Sequence, residues 1–242
     1  MRRILLLFML IFGIATVAFA SDDQGTATPA KGSNEVELVF IVDKSGSMAG
    51  LESDTIGGFN SMLNKQKEAK GSEAFVTTVL FDTNYNLIHD RVPLDRVENL
   101  TTKEYIAGGN TALLDAVGTT INRLAHVPGI YDNGRRVLFV IITDGYENSS
   151  REFTRDQVKN LITTQKKEHD WEFMFLGANI DAAGEANKIG ITQDRAATYS
   201  NDTKGVQTNY ASLNDVVASL RNNQKISADW KKNIEQHNSQ KQ

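Results

Sequence analysis

The sequence predicts an α/β fold built on a mostly parallel central sheet, and two patterns support that prediction. Short apolar runs rich in β-branched residues, such as residues 36–42 and 137–143, are typical of strands buried on both faces of a parallel sheet. Elsewhere apolar residues recur at intervals of three and four, as in residues 113–124, which indicates amphipathic helices. Because strands and helices alternate, we expect helices on both faces of the sheet.

One strand of this sheet is predicted to run antiparallel. Residues 74–81 and 85–92 both have the pattern of strands, and only residues 82–84 separate them. A connection this short closes a hairpin, whereas two parallel strands need a long crossover between them. Pro93 then ends the second strand, as is typical at the edge of a sheet. We therefore expect one antiparallel edge strand.

The other predicted elements continue the alternation of helices and strands to the end of the domain. They are helices over residues 51–68, 155–167, 181–189 and 206–220, and strands over residues 171–176 and 196–199. In open sheets of this kind, ligands bind beyond the carboxyl ends of the strands, where the strand order reverses. The residues that follow the strands are therefore the first candidates for a functional site.

The first twenty residues have the three parts of a secretory signal peptide. Arginines at positions 2 and 3 precede an uncharged apolar run over residues 4–20, and residues 18–20 (Ala-Phe-Ala) form a small-x-small cleavage pattern. We expect cleavage after Ala20 and a secreted or periplasmic location. The alternative is that the run stays uncleaved and anchors the chain to the inner membrane, although it is slightly short for a membrane span.

The rest of the chain divides into a flexible polar linker, one domain and a polar C-terminal tail, over residues 21–34, 35–220 and 221–242. Within the tail, Ile226, Trp230 and Ile234 fall at four-residue spacing, so a weakly amphipathic helix is one interpretation. We favour a tail that frays or packs loosely on the domain, with a helix that binds a partner as the alternative.

Composition excludes several classes of function. The chain has no cysteine, so disulfides, thiolate zinc sites and a cysteine nucleophile are excluded. An exported chain without disulfides favours a bacterial origin. A net charge of −4, without any run of lysine and arginine, argues against nucleic acid as a partner. The four histidines lack metal-ligand spacing and are interpreted as structural or solvated, at positions 89, 126, 169 and 237.

Oxygen-bearing side chains follow the two most apolar strands. The first strand runs directly into Asp43, Ser45 and Ser47, which alternate along an extended loop and therefore point to one side of it. The strand over residues 137–143 ends at Asp144. Thr111 lies between them in sequence, at the start of a predicted helix. Because parallel strands end at one edge of the sheet, we expect these five side chains to converge.

The chemistry of this set predicts a divalent cation. Hard oxygen ligands, without nitrogen or sulfur, favour Mg²⁺, with Mn²⁺ or Ca²⁺ as alternatives, over zinc or copper. Two carboxylates and three neutral hydroxyls barely balance the charge of such an ion. A coordination position should therefore remain for water or for a carboxylate from a partner.

These residues resemble the metal-ion-dependent adhesion site of the von Willebrand factor A (VWA) domain family. The resemblance rests on Asp43-x-Ser45-x-Ser47, Thr111 and Asp144, and covers about residues 35–220. It implies a Rossmann-like sheet with one antiparallel edge strand. It also implies that both serines and the threonine ligate the ion directly, whereas the aspartates hold it partly through water.

Small stand-alone bacterial members of that family are the most similar. They have stretches like residues 54–60 (Asp-Thr-Ile-Gly-Gly-Phe-Asn) and 176–181 (Leu-Gly-Ala-Asn-Ile-Asp). Those members are not usually described with a signal peptide, so this chain departs from them there. The resemblance implies a non-enzymatic module that binds a partner protein's Asp or Glu through the cation, and the signal-peptide pattern adds export, for adhesion or for assembly.

Several residues near the motif have alternative interpretations. Thr111 could cap the following helix. Asp115 is favoured as a partner of the helix dipole, with orientation of a metal ligand as the alternative. Glu147 and Asn148 are typical solvated loop residues that could also shape the rim. The competing function is a metal-assisted hydrolase at the same cation, for which Glu147 is a weak general-base candidate.

Overall fold

The structure, a computed structural model, describes residues 34–240. Its strands are β1 Val36–Asp43, β2 Ala74–Phe81, β3 Tyr85–Pro93, β4 Arg136–Thr143, β5 Glu172–Ala178 and β6 Ala196–Tyr199. Its α-helices are α1 Glu52–Glu68, α2 Leu113–Ala125, α3 Arg155–His169, α4 Ala182–Lys188, α5 Thr203–Arg221 and α6 Lys232–Ser239. The predicted signal segment lies outside the described residues, as does all of the predicted linker except residue 34.

The six strands form one sheet in the order β3-β2-β1-β4-β5-β6. Neighbouring strands are parallel except for β2 and β3, which are antiparallel. The prediction of a mostly parallel sheet with one antiparallel edge strand is therefore confirmed. The chain leaves β1 towards one edge and later returns to its other side with β4. The strand order thus reverses between β1 and β4.

Helices cover both faces of the sheet because β1 and β4 bury side chains on both faces. Leu38, Phe40 and Val42 contribute to the hydrophobic cluster that also contains α1 and α5 residues. Val39 and Ile41, which point to the opposite face, belong to the cluster with α2, α3 and α4. This alternation explains why the sequence of β1 is apolar almost throughout.

The two helices on the first face approach closely. Gly58 on α1 lies against the ring of Tyr210 on α5, and a Cβ added at Gly58 would be 2.4 Å from Cδ2 of that ring. Phe59 stacks edge-on against both Phe40 and Tyr210, with ring centroids 5.3 and 6.4 Å apart. The absence of a side chain at Gly58 therefore sets the distance between α1 and α5.

The segment after α5 packs tightly on the domain, whereas the sequence led us to expect a loosely packed tail. Ile226, Trp230 and Ile234 are buried in the same cluster as α1 and α5. The indole nitrogen of Trp230 donates to the carbonyl oxygen of Asp194 at 2.8 Å, and α6 packs against β6 and α5. Only Ile234 lies on α6, whereas Ile226 and Trp230 precede it, so the four-residue spacing marks buried positions but no single helical face. None of the helices within residues 34–240 is long and apolar enough to cross a lipid bilayer.

Candidate metal site

Asp43 ends β1, and its carboxylate is buried and hydrogen-bonded on both oxygens. Oδ1 accepts from the backbone N–H of Ser45 at 2.6 Å, and Oδ2 accepts from the hydroxyl of Thr143 at 2.6 Å. Burial raises the pKa of the Asp43 carboxyl to about 6, although these hydrogen bonds oppose the shift. Because the ionised form of this carboxyl is costly to bury, a cation bound beside it would lower that free-energy cost.

Ser47 lies on a short 3-10 turn that follows Asp43, and Ser45 directly precedes that turn. This turn spans Gly46–Met48, and the Ser45 backbone is still extended where it begins. The hydroxyl oxygens of Ser45 and Ser47 are 3.2 Å apart. The Ser47 hydroxyl donates to Oδ1 of Asp144 at 2.5 Å, which joins the loop after β1 to the loop after β4.

Asp144 follows the last residue of β4 and faces the serine turn. Burial raises the pKa of the Asp144 carboxyl, and the hydrogen bond from Ser47 opposes the shift. Gly145 lies directly beneath the hydroxyls, because a Cβ added there would be 3.0 Å from Oγ1 of Thr111 and 3.6 Å from Oγ of Ser47. A residue with a side chain at position 145 would therefore fill the space between those hydroxyls.

Thr111 reaches the site on a loop that is tied to both strand ends. The N–H of Gly108 donates to the carbonyl of Lys44 at 2.9 Å, and the N–H of Gly46 donates to the carbonyl of Gly109 at 3.1 Å. Thr111 exchanges hydrogen bonds with Asn148, its N–H donating to Oδ1 at 2.9 Å and its carbonyl accepting from N–H at 3.1 Å. The hydroxyl of Thr111 therefore faces Gly145 rather than solvent, and the residue is 3% exposed.

The structure thus brings all five predicted residues to one point at the carboxyl ends of β1 and β4, where the strand order reverses. These residues are Asp43, Ser45, Ser47, Thr111 and Asp144. Within residues 34–240 no group of three or more His, Cys, Asp or Glu could hold a metal ion. The donor set instead combines two carboxylates with three hydroxyls around a glycine. That chemistry fits a hard divalent cation.

Sequence analysis missed three residues that hold the site together. The buried phenol of Tyr105 donates to the carbonyl oxygen of Asp43 at 2.5 Å, and Thr143 donates to the carboxylate of Asp43, as described above. Lys44 forms an ion pair of 2.5 Å with Asp82, the residue after β2. The position of Thr143 next to Asp144 in the sequence is a signal that could have indicated its role. Nothing in the local pattern of Tyr105 indicates its role.

The structure adds a role for Asp115 and does not support Thr111 as a helix cap. Asp115 lies in the first turn of α2, as the favoured dipole role requires, but its carboxylate also accepts from the backbone N–H groups of Arg151, Glu152 and Phe153. It therefore fixes the loop before α3. The cap position of α2 is Ala112, so the structure does not use Thr111 as the cap.

Glu147 is not a solvated loop residue. Its carboxylate accepts from the N–H groups of Leu114, Ser149 and Ser150 and from the hydroxyl of Ser150, at 2.7–2.9 Å. Both oxygens are therefore engaged in holding the loop after β4 to the start of α2. Asn148, in contrast, does shape the rim through its bonds to Thr111.

Comparison with known proteins identifies the fold. No protein-family model matches the sequence, and no curated protein matches it. Solved structures do match. A von Willebrand factor type A protein from Catenulispora acidiphila is 15% identical with a TM-score of 0.52, and the match covers 77% of this chain and 43% of that one. The chain has the VWA fold, and the resemblance predicted from sequence is confirmed at the level of the fold.

Two further structures have the same fold. The PilB minor pilin from Streptococcus sanguinis is 13% identical with a TM-score of 0.56, and the match covers 80% of this chain and 63% of the pilin. Proximal thread matrix protein 1 from the mussel byssus, with a zinc-occupied metal-ion-dependent adhesion site, is 12% identical with a TM-score of 0.54, covering 76% and 46%. This chain spans less than two thirds of the length of each of these proteins.

Proposed function

We propose that this chain is an exported, metal-ion-dependent module that binds a partner protein, for adhesion or for assembly. The convergence of two carboxylates and three hydroxyls at the reversal of strand order is the observation that carries the proposal. Mg²⁺ is the proposed ion, with Mn²⁺ and Ca²⁺ as alternatives. A bound cation would supply positive charge with a position open to a carboxylate oxygen.

The chain's own residues prepare the site in two ways. Thr143 and Ser45 orient the Asp43 carboxylate, and burial makes its negative charge costly without a counter-charge. Ser45, Ser47 and Thr111 contribute neutral oxygens, so the site as a whole has only two formal negative charges. A cation held there would keep its attraction for an Asp or Glu of a partner.

Two other observations support the proposal. The mussel protein of the same fold has a zinc-occupied adhesion site, and a minor pilin also has this fold. The signal-peptide pattern of residues 1–20 supports export. The hydrolase alternative gains nothing from the site, because its general-base candidate, Glu147, is engaged in four hydrogen bonds.

Calorimetric titration of the metal-stripped protein with Mg²⁺, Mn²⁺, Ca²⁺ and Zn²⁺ tests the site. We expect one binding event that Asp43→Ala abolishes and Asp95→Ala retains. Asp95 is an exposed aspartate that follows β3, near the amino ends of the parallel strands and therefore away from the site, and it serves as the matched control. Equal metal binding by the wild type and Asp43→Ala would place the ion elsewhere and overturn the proposal.

Partner capture from the envelope fraction, with metal and with chelator, tests the function of the ion. We expect captured protein to be released by chelator and to be absent with Asp43→Ala. Thr111→Ala should still bind the ion but lose the partner, if the threonine contacts the ion mainly in the bound state. Capture that is insensitive to chelator and to both variants would make the ion structural.

Mass analysis of the mature protein tests export and should show Ser21 as the first residue.

A further inference from the structure

Large apolar side chains are exposed beside the candidate metal site. Three large hydrophobic residues are exposed within residues 34–240: Ile106 at 63%, Tyr146 at 54% and Tyr131 at 45%. Ile106 and Tyr146 lie on the two loops that carry Thr111 and Asp144. Tyr131 precedes β4 and therefore lies at the amino ends of the parallel strands, opposite the site.

The backbone on either side of Ile106 is anchored to the loop after β1. Tyr105 donates its phenol hydrogen to the carbonyl of Asp43, and the N–H of Gly108 donates to the carbonyl of Lys44. Ile106 lies between these two anchors, so its side chain is held at the rim of the site. Its exposure is therefore a property of a fixed loop.

Tyr146 is fixed in the same way on the other side. It lies between Gly145, which packs against Thr111, and Glu147, whose carboxylate binds the first turn of α2. The next residue, Asn148, is bound to the backbone of Thr111. The aromatic ring is therefore presented next to Asp144 by a loop that is tied on both sides.

Three of the charged side chains close to the site in sequence are engaged within the chain. Lys44 pairs with Asp82, Glu52 accepts from the N–H of Gly50 at 2.7 Å, and Glu147 holds its own loop. These charges do not offer a partner an ion pair of its own. Ile106 and Tyr146 therefore present apolar surface beside a site in which Ser47 is exposed and Asp144 is half-buried.

We propose that the partner of this site is a protein segment in which one Asp or Glu is flanked by apolar side chains that pack on Ile106 and Tyr146. This inference rests on the proposed function, since it describes the partner of the same site. Apolar contacts around a central charged contact exclude water from it, and the exclusion strengthens the electrostatic attraction. Exposed apolar side chains beside a polar site also favour a protein partner over a small ion.

Three synthetic peptides test the inference: acetyl-Gly-Leu-Asp-Phe-Gly-amide, the same peptide with Ser in place of Leu and Phe, and the same peptide with Asn in place of Asp. Binding is measured by NMR titration of the full mature chain in saturating Mg²⁺. We expect the Leu-Asp-Phe peptide to bind about tenfold more tightly than the Ser-flanked peptide, since two apolar contacts are added. The Asn peptide should not bind.

Variants of the chain test whether Ile106 and Tyr146 cause the preference for the Leu-Asp-Phe peptide. In Ile106→Ser/Tyr146→Ser the two acidic peptides should bind equally, while the titration with Mg²⁺ alone stays unchanged. Tyr131→Ser, which removes the exposed tyrosine at the other edge, should retain the preference. A double variant that keeps the tenfold preference would overturn the inference.

The remaining outcomes separate this inference from the proposed function. If both acidic peptides bind the wild type equally and only with Mg²⁺, carboxylate capture stands and the apolar rim has no role in it. If no acidic peptide binds the Mg²⁺-loaded chain, both proposals fail. If sedimentation shows that Mg²⁺ dimerises the wild type but not the double variant, the rim binds a second copy, and the peptide inference is wrong.

Discussion

The hydroxyl of Thr143 donates a hydrogen bond of 2.6 Å to Oδ2 of Asp43, which lies 100 positions earlier in the chain. The bond crosses from the end of β4 to the end of β1, the two strands between which the sheet order reverses. It fixes the orientation of a buried carboxylate and partly offsets the cost of burying it.

Replacing Thr143 with Val should weaken metal binding. The substitution keeps the shape of the side chain but removes the donor, so the Asp43 carboxylate loses one of its orienting hydrogen bonds. Loss of such an orienting bond typically reduces metal affinity about 10- to 100-fold. Calorimetric titration with Mg²⁺ or Mn²⁺ measures the change.

Thr198→Val is the matched control for this prediction. Thr198 lies in β6, and its hydroxyl donates to the carbonyl of Ile180 at 2.9 Å and accepts from the N–H of Ala182. That variant should lose stability, by about 1 kcal/mol, without loss of metal affinity. An unchanged titration for Thr143→Val would show that the Thr143–Asp43 bond does not serve the metal site.

Gly145→Ala should impair the metal site more than the fold. The new Cβ would lie 3.0 Å from Oγ1 of Thr111, so the threonine must shift by a few tenths of an ångström. The Cβ would also fill the space between Oγ1 of Thr111 and Oγ of Ser47, 3.6 Å from the latter, where the ion is proposed to bind. Because this takes space from the ion itself, we expect a loss of metal affinity of at least about tenfold, unlike for Thr111→Ala. Gly108→Ala is the control, because a Cβ there meets nothing within 4 Å. Equal affinities for the two variants would contradict the proposed position of Thr111.

Alanine substitutions at two adjacent glycines of α1 should change the stability of the fold in opposite directions. Gly58→Ala places a Cβ 2.4 Å from the ring of Tyr210 and should destabilise the fold by about 1–3 kcal/mol, as overpacking does. Gly57→Ala meets nothing within 4 Å and should stabilise the fold by up to about 1 kcal/mol through its helix propensity. Urea unfolding of both variants measures the free energies. Stabilisation by both substitutions would mean that α1 and α5 lie farther apart.

The stability of the chain should fall with pH below about 6.5 through His89. Burial lowers the pKa of His89, whose Nδ1 is 3.0 Å from the hydroxyl of Thr78. The unfolded chain, with the ordinary pKa of about 6.5, therefore binds a proton before the folded chain does. This contribution to stability is present above pH 6.5 and is lost as the pH falls towards the lowered pKa.

His89→Gln should accordingly show a smaller loss of stability between pH 7 and pH 5.5 than the wild type, in urea unfolding of the metal-free protein. The comparison between variants is needed because the pKa of Asp43, raised to about 6, acts with the opposite sign in this range. His126→Gln, at an exposed position, is the control. The idea is wrong if the two variants have the same pH dependence.

The sequence by itself determined the fold and the positions of the candidate ligands. Apolar runs and helical periodicity are local signals, and they predicted the strands, the helices and the antiparallel pair of β2 and β3. Because the polar residues of the motif follow β1 and β4 directly, the sequence also predicted that Asp43 and Asp144 would meet at one edge of the sheet.

Only the tertiary structure decided what supports those ligands and what surrounds them. The bonds of Tyr105 and Thr143 to Asp43 join residues 62 and 100 positions apart, and such contacts leave no local pattern in a sequence. The same holds for the bonds of Asp115 to the loop before α3 and of Glu147 to Leu114, which join residues 33 to 38 positions apart. The burial of Trp230 likewise depends on the space that α5 and β6 leave between them, which the spacing of apolar residues does not specify.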